Sequence, residues 1–193
     1  MTELLLVRHG ETDWNRDRRF QGHADQPLND AGREQARALA DQLAGERIDF
    51  VYTSDLVRAR ETAEIVAARV GADVVVLSEL REIDVGDWEG LTWPEIEQRH
   101  PEGARSWHEH GQGWTSGETY DELGERIIAA LRRIAADHPD QNVLVVGHGG
   151  TVRATRAFIE GLSVADSRRQ SPGIGNCEVF RVVVEDGGFR GID

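Results

Sequence analysis

The sequence predicts an α/β fold: a three-layer sandwich with a mostly parallel central sheet, helices on both faces and a small inserted cap. Short apolar runs alternate with amphipathic helical segments over residues 1–77, which is the pattern of parallel βαβ units. A further apolar run at 142–146 follows a long helical pattern. The 193 residues suffice for one domain, 1–193, which buries about 70% of the surface of the unfolded chain.

The first elements follow from hydrophobic spacing. Residues 4–7 are an uninterrupted apolar run, typical of a strand buried on both faces. Residues 11–29 show no period and predict a long polar loop. Apolar residues at helical spacing then predict a helix that begins at Asn29 and ends at Gly45, and residues 48–53 predict the second strand.

The next elements lead to a break in the pattern. Ser54 is predicted to cap a second helix that Gly71 ends, and residues 74–77 predict a third buried strand. Residues 78–118 hold four of the five tryptophans and three of the seven histidines, with a short helix predicted at 94–100. We expect this segment to form the cap over the functional edge of the sheet, its tryptophans serving both to pack it and to line a substrate pocket.

The last third of the chain returns to alternating elements. Thr119 and Glu122 predict a capping box at the start of a long helix. A strand at 143–146, a helix at 151–160 and a final strand at 177–184 follow. That strand is compatible with closing the sheet edge or with pairing across a homodimer, and the sequence does not distinguish the two.

Composition restricts partners and location. The formal net charge is −13, so we expect the chain to lack the basic surface that nucleic acids and anionic membranes require. We therefore expect neither as a partner. Cys177 is the single cysteine, predicted within the final strand, and it favours a reducing compartment. Neither a signal peptide nor a membrane-spanning run is recognisable, which predicts a cytoplasmic protein.

Residues suited to phosphate chemistry follow four predicted strands: Arg8 and His9, Arg58, Glu82, and His148. Because the carboxyl ends of parallel strands share one edge of the sheet, we expect these side chains to meet there. Each has an ordinary alternative when taken alone, as a solvated arginine, a hydrogen-bonded histidine or a surface carboxylate. The functional interpretation therefore depends on these residues meeting at one edge of the sheet.

Four blocks of sequence resemble those of a known family. Arg8-His9-Gly10-Glu11-Thr12 and the distant Gly147-His148-Gly149 are similar to the signature of the histidine phosphatase superfamily, in its phosphoglycerate-mutase-like branch. The segments 54–63 and 80–90 resemble its second arginine block and its proton-donor block. The resemblance extends over nearly the whole chain.

The resemblance implies a role for each residue that matches. His9 is the implied nucleophile, Arg8, Arg58 and His148 bind phosphate, and Glu82 is the acid. Motif position alone separates Glu82 from the nearby carboxylates Asp84, Asp87 and Glu89. The implied substrate contacts are Asn15, Gln21, Gly22 and Gly149.

No metal and no organic cofactor are expected. His108-Glu109-His110 has the spacing of a metal-binding pair, but no third ligand is evident in the sequence. The resemblance likewise implies that phosphohistidine chemistry proceeds without a metal ion.

The implied reaction is hydrolysis of a small phosphomonoester through a phosphohistidine. A cofactor-dependent phosphoglycerate mutase is the main alternative, but segment 86–97 is acidic and aromatic where mutases carry an arginine-rich block. That acidic segment favours an apolar or neutral leaving group over one with a second negative charge. A non-catalytic phosphate-binding module is a third alternative, although both nucleophile and acid are present.

Overall fold

A computed structural model describes residues 1–171 and 173–192 and contains a six-stranded sheet in the order β3-β2-β4-β1-β5-β6. Strands β1 to β4 run parallel to one another. Strand β5 is antiparallel to β1, and β6 is antiparallel to β5. The strands are β1 Thr2–Arg8, β2 Phe50–Thr53, β3 Val74–Val76, β4 Asn142–Gly147, β5 Val179–Glu185 and β6 Gly188–Ile192. The α/β class with a mostly parallel sheet is confirmed.

Helices cover both faces of the sheet. They are α1 Asp13–Arg16, α2 Asp30–Leu43, α3 Val57–Val70, α4 Trp93–Arg99, α5 Pro101–His110, α6 Tyr120–Asp137, α7 Gly149–Glu160 and α8 Val164–Gln170. In β1, Leu5 and Val7 belong to the apolar cluster that includes α2 and α3. Leu4 and Leu6 belong to the opposite cluster with α6 and α7. Alternate side chains of one buried strand thus bind the two helical layers together.

Several helix ends match the sequence signals. The Asn29 side chain accepts a hydrogen bond from the Gly32 amide at the start of α2. Gly71 adopts a left-handed conformation, with φ of 76°, just after α3, where only glycine is free of steric cost. Thr119 and Glu122 form the capping box of α6. Helix α2 ends at Leu43, slightly before the predicted Gly45.

Other predictions of local structure were wrong. Ser54 caps no helix, because α3 begins three residues beyond it, at Val57, with Leu56 in the cap position and no side-chain cap. β3 is an edge strand with a single neighbour, so Val76 is 44% exposed rather than buried. Cys177 lies in a turn with φ of 56°, before β5 begins at Val179.

Elements that lack a clear period escaped prediction. These are the short helices α1 and α8, helix α5, and the final strand β6, which takes the edge of the sheet beyond β5. β5 pairs with β1 on one side and β6 on the other, so its edge is already occupied.

Segment 78–118 packs around a buried tryptophan. Trp88 contacts Trp93, Trp107 and Trp114 at ring-centroid distances of 5.5 to 6.4 Å. Trp88 and Trp114 belong to the same apolar cluster as Leu4, so this segment shares the main core. Its interpretation as an inserted cap stays a prediction. In the ranges 1–171 and 173–192, none of the helices has the length and apolar character needed to cross a membrane.

The loop after β1 packs backbone to backbone against α2. A Cβ on Gly32 would lie 2.1 Å from the carbonyl oxygen of Glu11, and one on Gly10 would lie 2.5 Å from the carbonyl oxygen of Gly32. We predict that Gly32→Ala destabilises the protein by about 1–3 kcal/mol through overpacking. Thermal unfolding should show a melting temperature lower by roughly 3–10 °C.

Gly45→Ala is the matched control, because a Cβ there meets nothing within 4 Å and the backbone is not left-handed. This variant should be unchanged or more stable by up to about 1 kcal/mol. Equal melting temperatures for the two variants would contradict the packing argument.

Candidate active site

Strand register brings the predicted residues together. Arg8 of β1 pairs with Gly147 of β4, so His9 and His148 leave neighbouring strands at the same level. Thr53 of β2 pairs with Val146 of β4, which places Ser54 beside them. A cavity of about 250 Å³ opens at this edge of the sheet. Every predicted site residue except His148 lines it: Arg8, His9, Asn15, Gln21, Gly22, Arg58, Glu82 and Gly149.

His9 is held as a neutral imidazole with one free nitrogen. It is 3% exposed, and its Nδ1 lies 2.7 Å from the carbonyl oxygen of Gly10. A carbonyl oxygen only accepts, so Nδ1 carries the proton and Nε2 keeps its lone pair. Burial, followed by the positive charges of Arg58 and Arg8, holds the pKa of His9 well below its usual value. A neutral imidazole of this kind is a competent nucleophile at pH 7.

His148 lies under the cavity wall and packs edge-on against His9. The ring centroids are 5.3 Å apart, and His148 is fully buried. Its Nε2 lies 2.7 Å from the hydroxyl oxygen of Ser54. Burial and then Arg58 hold the pKa of His148 well below its usual value, so the ring is neutral in the protein alone. Only an anionic group beside it would favour the charged form.

Arg58 is a fully buried cation whose partners are carbonyl oxygens. Its guanidinium donates to the carbonyl oxygens of Ala24 and Gly22, each at 2.8 Å. Arg8 similarly donates to the carbonyl oxygen of Ile174 at 2.9 Å. Burial lowers the pKa of Arg58 to about 10, which leaves it charged at neutral pH. Two cations that form no ion pair with any described residue therefore flank His9.

Glu82 is held against the start of α7. Its carboxylate oxygens accept from the Gly150 amide at 3.1 and 3.2 Å, and Oε1 also accepts from the Ile83 amide at 2.9 Å. A Cβ on Gly150 would lie 2.1 Å from Oε1, so a larger residue there would displace the Glu82 carboxylate from this position. These hydrogen bonds fix the orientation of the Glu82 carboxylate in the cavity wall.

The three carboxylates that lie near Glu82 in the sequence have structural partners. Asp84 accepts from the Gly86 amide, Asp87 from the Thr115 amide and Glu89 from the Ala24 amide. Among the described residues that line the cavity, Glu82 is the one carboxylate. Asp84, Asp87 and Glu89 thus make no direct contact with the cavity, and the expectation of a neutral or apolar leaving group stays a prediction.

The residues of the loop that follows β1 bind one another and also line the cavity. Asn15 Oδ1 accepts from the Thr12 amide at 3.1 Å, and Gln21 Oε1 accepts from the Thr12 hydroxyl at 3.0 Å. Gly22 has φ of 51°, and its carbonyl oxygen accepts from Arg58. Backbone and side chains of this loop thus hold the buried guanidinium in place.

Sequence reasoning missed part of the cavity lining. Arg153 lies one turn after Gly149 on α7, and helical spacing from the Gly-His-Gly turn is the signal that points to it. The aromatic lining residues are Phe20 and Tyr120, whereas no tryptophan in the described ranges lines the cavity. Ser54 was assigned to a helix cap although its partner is His148.

The His-x-His pair lies on α5, apart from the cavity lining. In residues 1–171 and 173–192, no group of three or more histidine, cysteine, aspartate or glutamate side chains is arranged to hold a metal ion.

The chain is similar to known proteins over nearly its whole length. The model of the histidine phosphatase superfamily (branch 1) matches residues 4–192. Phosphoglycerate mutase-like protein 4 of Arabidopsis thaliana is 43% identical over 79% of this chain and 68% of its own length. The metal-independent phosphoserine phosphatase of Arabidopsis thaliana is 40% identical over 80% and 67%. The solved structure of Bacillus stearothermophilus YhfR is 34% identical with a TM-score of 0.92, covering 99% of this chain and 95% of that one.

The contact between Ser54 and His148 predicts a positioning effect. Ser54→Ala removes the partner of His148 Nε2 and should lower kcat/KM on p-nitrophenyl phosphate roughly tenfold, because a buried unpaired imidazole nitrogen reorients. The adjacent Thr53→Val is the control, since the Thr53 hydroxyl is buried without a partner among the described residues. Its activity should stay within about twofold, and equal losses would contradict the role of Ser54.

The lowered pKa of His9 predicts an imidazole that does not titrate in the usual range. Since the charged form is disfavoured, the His9 ring signal in a proton NMR titration should show no midpoint near the ordinary histidine value of about pH 6.5. His9→Ala identifies the signal by its loss. A midpoint near the ordinary histidine value would show that the site does not disfavour the imidazolium.

Proposed function

The chain belongs to the histidine phosphatase superfamily (branch 1), and we propose that it hydrolyses a small phosphomonoester through a phosphohistidine on His9. The family and its phosphatase relatives support a phosphomonoesterase. The observation that carries the proposal is a neutral His9 with a free Nε2 between two cations that have no carboxylate partner, in one cavity with Glu82. The 250 Å³ volume suits a small metabolite.

The arginines supply the electrostatic part of catalysis. Phosphoryl transfer spreads negative charge over three equatorial oxygens, and fixed positive groups stabilise it most when they are already in place. Arg8 and Arg58 are anchored by carbonyl oxygens and keep donor capacity for those oxygens. Asn15, Gly22 and Gly149 line the same space and are proposed to complete the phosphate and substrate contacts.

Two transfers complete the reaction. The Nε2 lone pair of His9 attacks phosphorus, the ester P–O bond breaks, and protonated Glu82 gives its proton to the leaving oxygen. The Glu82 carboxylate then takes a proton from water as that water attacks phosphorus and breaks the P–N bond. Inorganic phosphate leaves, and both His9 and Glu82 return to their starting forms.

The negative phosphoryl group is expected to favour protonation of His148, whose Nε2 Ser54 holds at 2.7 Å. We propose that His148 then contributes a further positive charge beside His9. We thus assign the nucleophile, the acid and base, and the cationic phosphate ligands all to side chains of this protein.

A phosphoglycerate mutase is the second candidate, because one relative carries a mutase-like name. The phosphatase is better supported, since another relative is a metal-independent phosphoserine phosphatase. A non-catalytic module is disfavoured because His9 and Glu82 line one cavity. The cytoplasmic location, the absence of nucleic-acid and membrane partners, and a homodimer stay predictions.

The deciding experiment measures phosphate release in excess EDTA from p-nitrophenyl phosphate, phosphoserine and sugar phosphates, beside a mutase assay with and without 2,3-bisphosphoglycerate. We expect release without stimulated isomerisation, and a phosphoenzyme that base preserves and acid destroys. His9→Ala should lower kcat by about 10⁴-fold or more and abolish the phosphoenzyme. Isomerisation with little release would instead identify a mutase.

A further inference from the structure

His23 lies in the loop after β1, between the two residues whose carbonyl oxygens hold Arg58. Gly22 and Ala24 each accept from the Arg58 guanidinium at 2.8 Å. The imidazole of His23 contacts the other side of the site, where its Nε2 lies 2.8 Å from the carbonyl oxygen of Glu82. Three consecutive residues therefore contact both the buried guanidinium and the proposed acid. The reaction proposed above gives His23 no role.

The hydrogen bond between His23 and Glu82 has one possible direction. A carbonyl oxygen only accepts, so Nε2 of His23 carries a proton and donates it. A neutral ring protonated at Nε2 and a charged ring both donate from this atom, so the contact does not depend on the charge of His23. The ring is half-buried and does not line the cavity. His23 therefore acts on the backbone of Glu82 and not on a ligand.

The loop also packs tightly against the segment that follows Glu82. A Cβ on Gly22 would lie 2.8 Å from Cγ2 of Val85 and 2.5 Å from Oε1 of Glu89. The same Glu89 oxygen accepts from the backbone amide of His23. Side chain and backbone of His23 thus both bind segment 82–89, so the position of the loop and the position of this segment are coupled.

Among the described residues, His23 is the main donor to the carbonyl oxygen of Glu82. Arg126 reaches that oxygen only at 3.4 Å, and its shorter hydrogen bonds go to the carbonyl oxygens of Glu79 and Arg81. A hydrogen bond at 2.8 Å has the ordinary length, whereas one at 3.4 Å is long and weak. The backbone that carries the acid is therefore fixed on this side by His23.

We propose that His23 is a positioning residue that sets the distance between the acid Glu82 and the phosphate ligand Arg58. Proton donation requires the Glu82 carboxyl group within hydrogen-bond reach of the leaving oxygen while Arg58 holds the phosphoryl group. A misplacement of about 1 Å can lower a rate by about 10²-fold. The inference rests on the proposed function, since it gives His23 an effect on the reaction only through Glu82.

The test compares two aromatic esters that differ in their need for an acid. The alkoxide leaving group of benzyl phosphate is a strong base that must be protonated, whereas p-nitrophenolate leaves as a stable anion. The ratio kcat/KM reports the steps up to transfer of the phosphoryl group to His9, so it isolates the acid role of Glu82. His23→Leu should lower kcat/KM about tenfold or more on benzyl phosphate and less than about threefold on p-nitrophenyl phosphate.

Three further variants complete the comparison. Glu82→Gln should show the same selective loss, at about 10²-fold or more, because it removes the acid itself. His23→Gln should recover most of the activity on benzyl phosphate, since a glutamine amide nitrogen can donate from nearly the same position. Gln26→Leu is the matched control in the same loop, because its side chain does not line the cavity and makes no hydrogen bond to a described residue. Its kcat/KM values should match those of the wild type on both esters.

Equal losses on both esters in His23→Leu, or no loss on either, would overturn the positioning role. If melting curves show that His23→Leu does not fold, His23→Asn makes the same comparison, because its shorter side chain places the amide about where Nδ1 stood. A wild-type protein that releases phosphate from neither ester, or a His9→Ala variant that releases it normally, would instead overturn the proposed function.

Discussion

The site depends on keeping a guanidinium charged in the protein interior without a carboxylate partner. Arg58 is fully buried and is solvated by the carbonyl oxygens of Gly22 and Ala24. Carbonyl dipoles satisfy its donors but leave its net charge, which a buried ion pair would cancel. Burial, followed by that charge and the charge of Arg8, holds His9 neutral, and the Arg58 charge remains available to a phosphoryl group. The loop that supplies the two carbonyls is therefore as much a part of the site as the arginine.

Carboxylates outside the cavity hold the loop that supplies these two carbonyl oxygens. Glu89 accepts from the amides of His23 and Ala24, and Asp25 accepts from the Val57 amide at the start of α3. These contacts hold the loop in the conformation in which its carbonyl oxygens meet Arg58. A chain with a net charge of −13 thus presents a cavity lined by arginines, while Glu89 and Asp25 near it bind backbone amides.

Local signals predicted the parts of the fold that local physics decides. The apolar runs of β1 and β4, the left-handed Gly71 and the capping box at Thr119 depend on residues within a few positions of one another. Prediction failed where a distant partner competes. Ser54 has good capping chemistry, but the β2–β4 register brings it to the imidazole of His148, which takes its hydroxyl instead. Helix α8 and strand β6 similarly have too little periodicity to be recognised alone.

By itself the sequence determined the α/β class, the family and the residues that follow the strands, because these rest on periodicity and on contiguous motifs. Motif position pointed to Glu82 among its neighbouring carboxylates, but only the tertiary structure supplied the contact that holds it in the cavity wall. Only the tertiary structure decided which arginine of the cavity has no partner among the described residues. The amide of Gly150, far away in the chain, holds Glu82, and Arg153 lines the cavity with no acidic side chain of the described residues paired with it. Such pairings depend on three-dimensional distance, which a one-dimensional pattern does not contain.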